Sequence, residues 1–301
     1  MAQAILAQVS PEAPPSWWAW RPAPLADMAP HPGALAALAA ALVSLVGSEY
    51  IAPEVSHAAA YRHSLELQFD GTVWSSGRND FGQLGHGTAS HKATPAVVSL
   101  NGRAAAVSTG YYHSLVLMED SIAYAFGRND LGQLGDSTRR HKSFPKYIFR
   151  GVQAIDAGGH HSLFLKSDGS VWASGRNDWG QLGDGSRLHR YSPVQILTGV
   201  QAIAAGGWHS LCLRRDTTAL AAGRNDYGQL GDNTLFMRVT PVQVASDVIR
   251  ITAGHFYSTF VRSDSSLTAA GQFDSGLPRD RTNWTIIQVF NESQVRQMSA
   301  A

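Results

Sequence analysis

The sequence predicts an all-β chain of repeated four-stranded sheets arranged as a β-propeller, and three observations carry that reading. The tetrapeptide Gly-Arg-Asn-Asp recurs at Gly77, Gly127, Gly175 and Gly223, each time followed by one variable residue and then Gly-Gln-Leu-Gly. Successive copies stand 48 to 50 residues apart, and a decayed fifth, Gly271-Gln272-Phe273-Asp274, lies 48 further on. His63-Ser64, His113-Ser114, His161-Ser162, His209-Ser210 and the variant Tyr257-Ser258 each precede the corresponding glycine by 14 residues, so the two anchors keep a fixed register. A period of this length marks supersecondary modules that cannot bury their apolar faces alone.

The third unit, 152–199, justifies the elements in order. Val152-Gln153-Ala154-Ile155-Asp156-Ala157 alternates apolar and polar residues as a half-buried strand does, Gly158-Gly159 breaks it, and Ser162-Leu163-Phe164-Leu165 begins a second strand. Asp168-Gly169 is a hairpin signal because both residues tolerate positive φ, and Ser170 to Ser174 forms the return strand. The Gly-Arg-Asn-Asp segment reads as loop, and Ser192 to Leu197 as a short fourth strand. Such sheets, packed face to face about an axis, solve the exposed-edge problem as a propeller; a solenoid or an open array of stacked sheets is the competing arrangement. The units run near 54–102, 103–151, 152–199, 200–247 and 248–294, within a propeller domain of 50–301.

The His-Ser-Leu string, the Asp-Gly hairpin, the Gly-Arg-Asn-Asp-x-Gly-Gln-Leu-Gly loop and a later Pro-Val, as at Pro193-Val194, resemble the repeat of the regulator of chromosome condensation family over about residues 54 to 290. The resemblance implies a β-propeller, with seven blades in well-known members. Here five units are visible, followed by what reads as one more strand at 295–300. The first unit is weakest at its opening strand, where His57 occupies the place of Ile155, Ile203 and Ile251. Strand 295–300 is therefore a candidate to pair with the first unit and close a small ring; the alternatives are an incomplete ring, a ring completed by another chain, or a fragment.

The flanks differ in composition. Residues 1–33 hold Pro11, Pro14, Pro15, Pro22, Pro24, Pro30 and Pro32 around Trp17-Trp18-Ala19-Trp20 and read as a disordered leader. An Ala/Leu run at 34–47, ended by Gly47, reads as a short apolar helix. It falls short of the roughly 20 residues that a bilayer span requires, and it lacks the basic approach and cleavage pattern of a signal peptide. An intracellular, cytoplasmic chain is the expectation. A net charge of +1 over 301 residues gives no broad electrostatic signal for nucleic acid or an anionic membrane. Cys212, the single cysteine, excludes a disulfide framework or a thiolate metal cluster and reads as a small core hydrophobe.

Among the repeated polar residues, His63, His113, His161 and His209 read as structural, each imidazole bonded to backbone in the adjoining loop, rather than as converging metal ligands. Arg78 with Asp80, Arg128 with Asp130, Arg176 with Asp178 and Arg224 with Asp226 read as a network tying one sheet to the next; the functional alternative is a guanidinium ring for an acidic partner. Gly82-Gln83-Leu84-Gly85 and its copies lack the Gly-Lys-Ser/Thr ending of a phosphate loop, and no catalytic constellation, metal site or cofactor motif is present. Two sets are candidate partner contacts. Tyr112, His160, Trp208 and Phe256 share the position before the His-Ser pair, where a large ring is either buried between blades or an exposed hot spot. Arg139 and Arg140, and Arg187 and Arg190, fall in equivalent outer loops, as solvated charge or as anion contacts.

These features point to a non-enzymatic protein-binding propeller, an interaction scaffold or regulatory module. The resemblance adds two rivals, because the family includes exchange factors for small GTPases, ubiquitin-ligase modules and a plant ultraviolet-B photoreceptor. In the exchange factor, nucleotide release is associated with an inserted β-wedge, for which units of 48 to 50 residues leave no room. The photoreceptor relatives carry a recurring Gly-Trp-Arg-His-Thr string, matched here only in part by Tyr61-Arg62-His63-Ser64 and Gly207-Trp208-His209-Ser210.

Overall fold

The computed structural model describes residues 56–60, 62–272 and 287–290. They form five four-stranded antiparallel sheets, with no helix among the described residues. Sheet 1 holds β1 (Ser56–Ala60), β2 (His63–Leu67), β3 (Val73–Gly77) and β4 (Lys92–Val97); sheet 2 holds β5 (Ala104–Thr109), β6 (His113–Met118), β7 (Ile122–Gly127) and β8 (Lys142–Arg150). Sheet 3 holds β9 (Val152–Ala157), β10 (His161–Lys166), β11 (Val171–Gly175) and β12 (Arg190–Leu197). Sheet 4 holds β13 (Val200–Ala205), β14 (His209–Arg214), β15 (Ala219–Gly223) and β16 (Arg238–Ala245), and sheet 5 holds β17 (Val248–Ala253), β18 (Tyr257–Arg262), β19 (Leu267–Gly271) and β20 (Ile287–Phe290). Each sheet is a meander with strands in chain order. First strands of successive sheets touch one another and fourth strands do not share such packing, so the first strand lies nearest the axis and the fourth at the periphery.

The cores lie between sheets rather than within them. Leu65, Val73, Val98, Val116 and Phe126 fill the seam of sheets 1 and 2; Leu115, Leu117, Leu134 and Phe164 that of sheets 2 and 3. Leu165, Val171 and Cys212 join sheets 3 and 4, and Leu211, Leu213, Leu230, Ile251 and Phe260 join sheets 4 and 5. Burying a Leu or Phe stabilises by about 1.5–3 kcal/mol, so each sheet depends on its neighbour for its apolar contribution. Cys212 occupies the core position expected of it, and burial pushes its thiol up to about 12.

The hairpin between the second and third strands follows the expected turn chemistry. Gly169 stands at φ +82° and Gly71 at +80°, while Asp168 Oδ1 accepts from Ser170 N at 2.8 Å. Where the repeat lacks glycine, Ser121, Thr217 and Ser265 adopt the same left-handed conformation at φ 66°, 67° and 65°. The fourth strands are longer than expected. β12 begins at Arg190 rather than Ser192, and β8 runs nine residues, because ion pairs described below hold each strand's first residue onto its own loop. His57 does stand in the register of Ile155 and Ile203, opposite Glu66, and β1 itself takes the inner place in sheet 1. The leader at 1–33, the run at 34–47 and the strand at 295–300 lie outside the described residues.

Candidate functional site

In a meander, connections alternate between the two ends of the sheet. The first-to-second turns carrying Tyr112, His160, Trp208 and Phe256 therefore share one end of the assembly with the Gly-Arg-Asn-Asp loops between third and fourth strands. That end is the candidate site.

Its loops are built around a buried amide. In sheet 3, Leu182 N donates to Asn177 Oδ1 at 3.0 Å, Asn177 Nδ2 donates to Asp184 Oδ1 at 2.9 Å, and Trp179 N donates to Gln181 Oε1 at 3.1 Å. Asn79, Asn129 and Asn225 do the same work for Leu84, Leu134 and Leu230. The Asp184 carboxylate, 2% exposed, pairs with Arg190 at 2.6 Å; Asp136 with Lys142 and Asp232 with Arg238 repeat the arrangement. Burial works against the Asp184 charge, but hydrogen bonds from Arg190, Ser186 and Asn177 outweigh it and hold the carboxyl below its ordinary range. Arg190 is thus tied to the scaffold through Asp184, with its side chain 36% exposed.

The four histidines bond across the seams, to a serine hydroxyl and to backbone of the next sheet rather than to a loop of their own. His63 Nε2 lies 2.9 Å from Ser114 Oγ, His113 2.9 Å from Ser162, His161 2.9 Å from Ser210 and His209 3.0 Å from Ser258. Each serine gives its only proton to a glutamine carbonyl, as Ser162 Oγ does to Gln133 O at 2.6 Å. A hydroxyl carries one proton, so the imidazole must be the donor, in its neutral Nε2–H form. Burial reinforces this: it lowers His63 to about 4, and His161 and His209 to about 3.

Arginine, aspartate and aromatic residues form the surface of this end. Arg128 and Asp130 make a two-pronged pair at 2.8 and 2.7 Å, as do Arg224 and Asp226 at 2.6 Å each; Arg78 and Arg176 donate from Nε to Asp80 and Asp178. These ion pairs lie within one loop, and the guanidiniums reach the next sheet through its rings. Arg78 lies over Tyr112, Arg176 over Trp208 at 4.6 Å and Arg224 over Phe256 at 5.3 Å. Arg128 faces Phe81 of the preceding sheet at 5.2 Å. Tyr112, Trp208 and Phe256 are half-buried and His160 is buried, so the position is neither fully core nor fully open. The Asp side chains remain 35–44% exposed.

Near the axis two residues not singled out in the sequence meet. Tyr111 Oη and His255 Nε2, from sheets 2 and 5, are 2.8 Å apart, and Trp208 Nε1 donates to the same nitrogen at 3.3 Å. His160 packs edge-on against Tyr111 and Trp208, with ring centres 5.2 and 5.6 Å away. In sheets 3 and 4 the equivalent residues are Gly159 and Gly207; a Cβ at either would come within 2.7 Å of the Tyr111 side chain. That substitution of ring for glycine was the available sequence signal. Arg139 and Arg187 lie farther out, each donating from Nε to the carbonyl of Asp130 or Asp178, and Arg140 is exposed. Among the described residues, no group of three or more His, Cys, Asp or Glu is placed to hold a metal ion, and no helix is long and apolar enough to cross a membrane.

The model of the RCC1-like domain matches residues 36–301. The chain belongs to the RCC1-like domain family. Its match takes in most of the Ala/Leu run as well as the repeats. Solved structures superpose on it: human WBSCR16 at 24% identity and TM-score 0.70, covering 80% of this chain and 67% of that one. Prp20p of Saccharomyces cerevisiae matches at 27% identity and TM-score 0.66, over 75% of this chain and 59% of that one. Yeast RCC1 (Prp20) bound to Kap60 gives 25% and 0.65, over 75% and 58%. This chain thus spans less than two thirds of the yeast protein's length. A search of curated protein sequences finds no match.

Proposed function

We propose that this RCC1-like chain is a non-enzymatic protein-binding propeller, a scaffold or regulatory module that engages its partner through the end carrying the Arg–Asp loops. The observation that carries the reading is the ladder of guanidiniums clamped between a carboxylate and an aromatic ring. Arg, Trp and Tyr are the residues that dominate binding energy at protein interfaces, and here the scaffold immobilises them in advance, which lowers the ordering cost of association. Yeast Prp20, at 25–27% identity, has been described bound to Kap60 and with binding properties to Gsp1p and histones, which supports a protein partner.

Crosslinking with mass spectrometry on the full chain in lysate tests it. Reproducible crosslinks through the loops around Arg139 or Trp208 are expected, whereas capture only through residues 1–33 would refute the reading. Guanine-nucleotide exchange on a small GTPase is the second reading, favoured by the Prp20 likeness and disfavoured by the constant unit length. Stimulated release of labelled GDP from a GTPase would select it; binding without release selects the scaffold.

A further inference from the structure

One strand at the periphery differs from its counterparts. The stretch 139–150, comprising the end of the sheet 2 loop and all of β8, carries Arg139, Arg140, Lys142, Lys146 and Arg150 with no acidic residue. The equivalent stretches carry only Lys92 in sheet 1, Arg187 and Arg190 in sheet 3, and Arg238 in sheet 4. Lys142 is spoken for by Asp136, but Arg140, Lys146 and Arg150 are exposed, and among the described residues none of them has a carboxylate within ion-pair distance. Phe144 is 62% and Tyr147 44% exposed in the same strand, where Tyr147 leans edge-on against Tyr124.

β8 is also the outer edge of sheet 2 and the longest of the described strands. The loop of sheet 1 covers its start, where Gly87 N donates to Ser143 O at 2.8 Å. Beyond that point the strand has no partner on its outer side among the described residues, and such an edge presents a row of main-chain donors and acceptors. Pro145 removes one donor, which leaves pairing to the segment from Lys146 onward.

Resting on the reading of this chain as a protein-binding propeller, we infer that β8 is a docking edge for an extended acidic segment of a partner protein. That segment adds as a fifth strand, with carboxylates facing Arg140, Lys146 and Arg150 and apolar side chains beside Phe144 and Tyr147. The charge is concentrated on one blade: the register equivalents of Lys146 on β12 and β16 are Val194 and Val242, and the net charge of the whole chain is +1. A polyanion tracking across the surface would need basic residues on neighbouring blades as well, so a short peptide fits better than nucleic acid or a lipid surface.

The test uses the full chain and a fluorescein-labelled twelve-residue peptide of alternating Glu and Val, read by anisotropy. K146E with R150E should weaken binding at least tenfold, methylation of alternate peptide amides should do the same, and Q195E on β12 should change it less than twofold. Saturating peptide should slow amide exchange over 144–150 of the unmodified protein, a readout that does not depend on any variant folding. Unchanged affinity on charge reversal or amide methylation, protection appearing elsewhere, or tighter binding of oligo-dT or phosphatidylserine vesicles would overturn the inference. Each of those results leaves the lysate crosslinks at the Arg–Asp end as they stand, so the two readings fail separately.

Discussion

Four imidazoles stand in the seams between sheets, each held as a neutral Nε2–H donor by a serine that has already committed its proton. The histidine anchors were visible in the sequence, but their partners were not: His63 bonds a serine 51 residues away, and only the stacking of sheets brings the two together. The consequence for pH is direct. The folded-state values, about 4 for His63 and about 3 for His161 and His209, lie below the unfolded value of about 6.5. The unfolded chain therefore takes up protons that the folded chain refuses. Stability is flat above that unfolded value and falls as pH drops from there toward 4, with a limiting slope of about 1.4 kcal/mol per pH unit for each histidine. His161→Gln keeps a donor near the Nε2 position and removes the titration. Urea unfolding from pH 7.5 to 4.5 should show its slope reduced by about one proton; an unchanged slope would mean that His161 is protonated in the fold.

At the scale of the element, alternation made the first strand of each unit legible, a continuous apolar run the second, which is buried on both faces, and turn chemistry the return, because the Asp-Gly turn demands a left-handed residue. The fourth strand was read too short at its start. Arg190 looks like a loop cation in sequence, yet Asp184, six residues earlier, pulls it into β12 through a contact that periodicity does not encode. Asp184→Asn would set an amide N–H against the guanidinium while preserving shape. A loss of about 2 kcal/mol is expected, together with faster amide exchange across 176–190. A change under about 0.5 kcal/mol would mean that the pair is ornamental at this site, as exposed ion pairs often are.

For the whole molecule, the repeat fixed what kind of object this is, while the contents of its Arg–Asp end needed coordinates. Tyr111 and His255 lie 144 residues apart and touch only because sheets 2 and 5 converge on the axis. The aromatic position before each His-Ser pair could be read as core or as surface, and its rings turn out to be half-covered by the arginines of neighbouring loops. Stacking is the property on which everything else rests, because no sheet has an apolar core of its own. Hydrogen exchange on Phe164→Ala tests it most directly. Phe164 belongs to β10 of sheet 3 but packs in one cluster with Leu115, Leu117 and Leu134 of sheet 2. Truncating a buried Phe costs about 3–5 kcal/mol. If neighbouring sheets seal one another, protection falls in β6 and β7 as well as in β9 to β11. Loss confined to residues 152–199, with sheet 2 protected as before, would contradict the account.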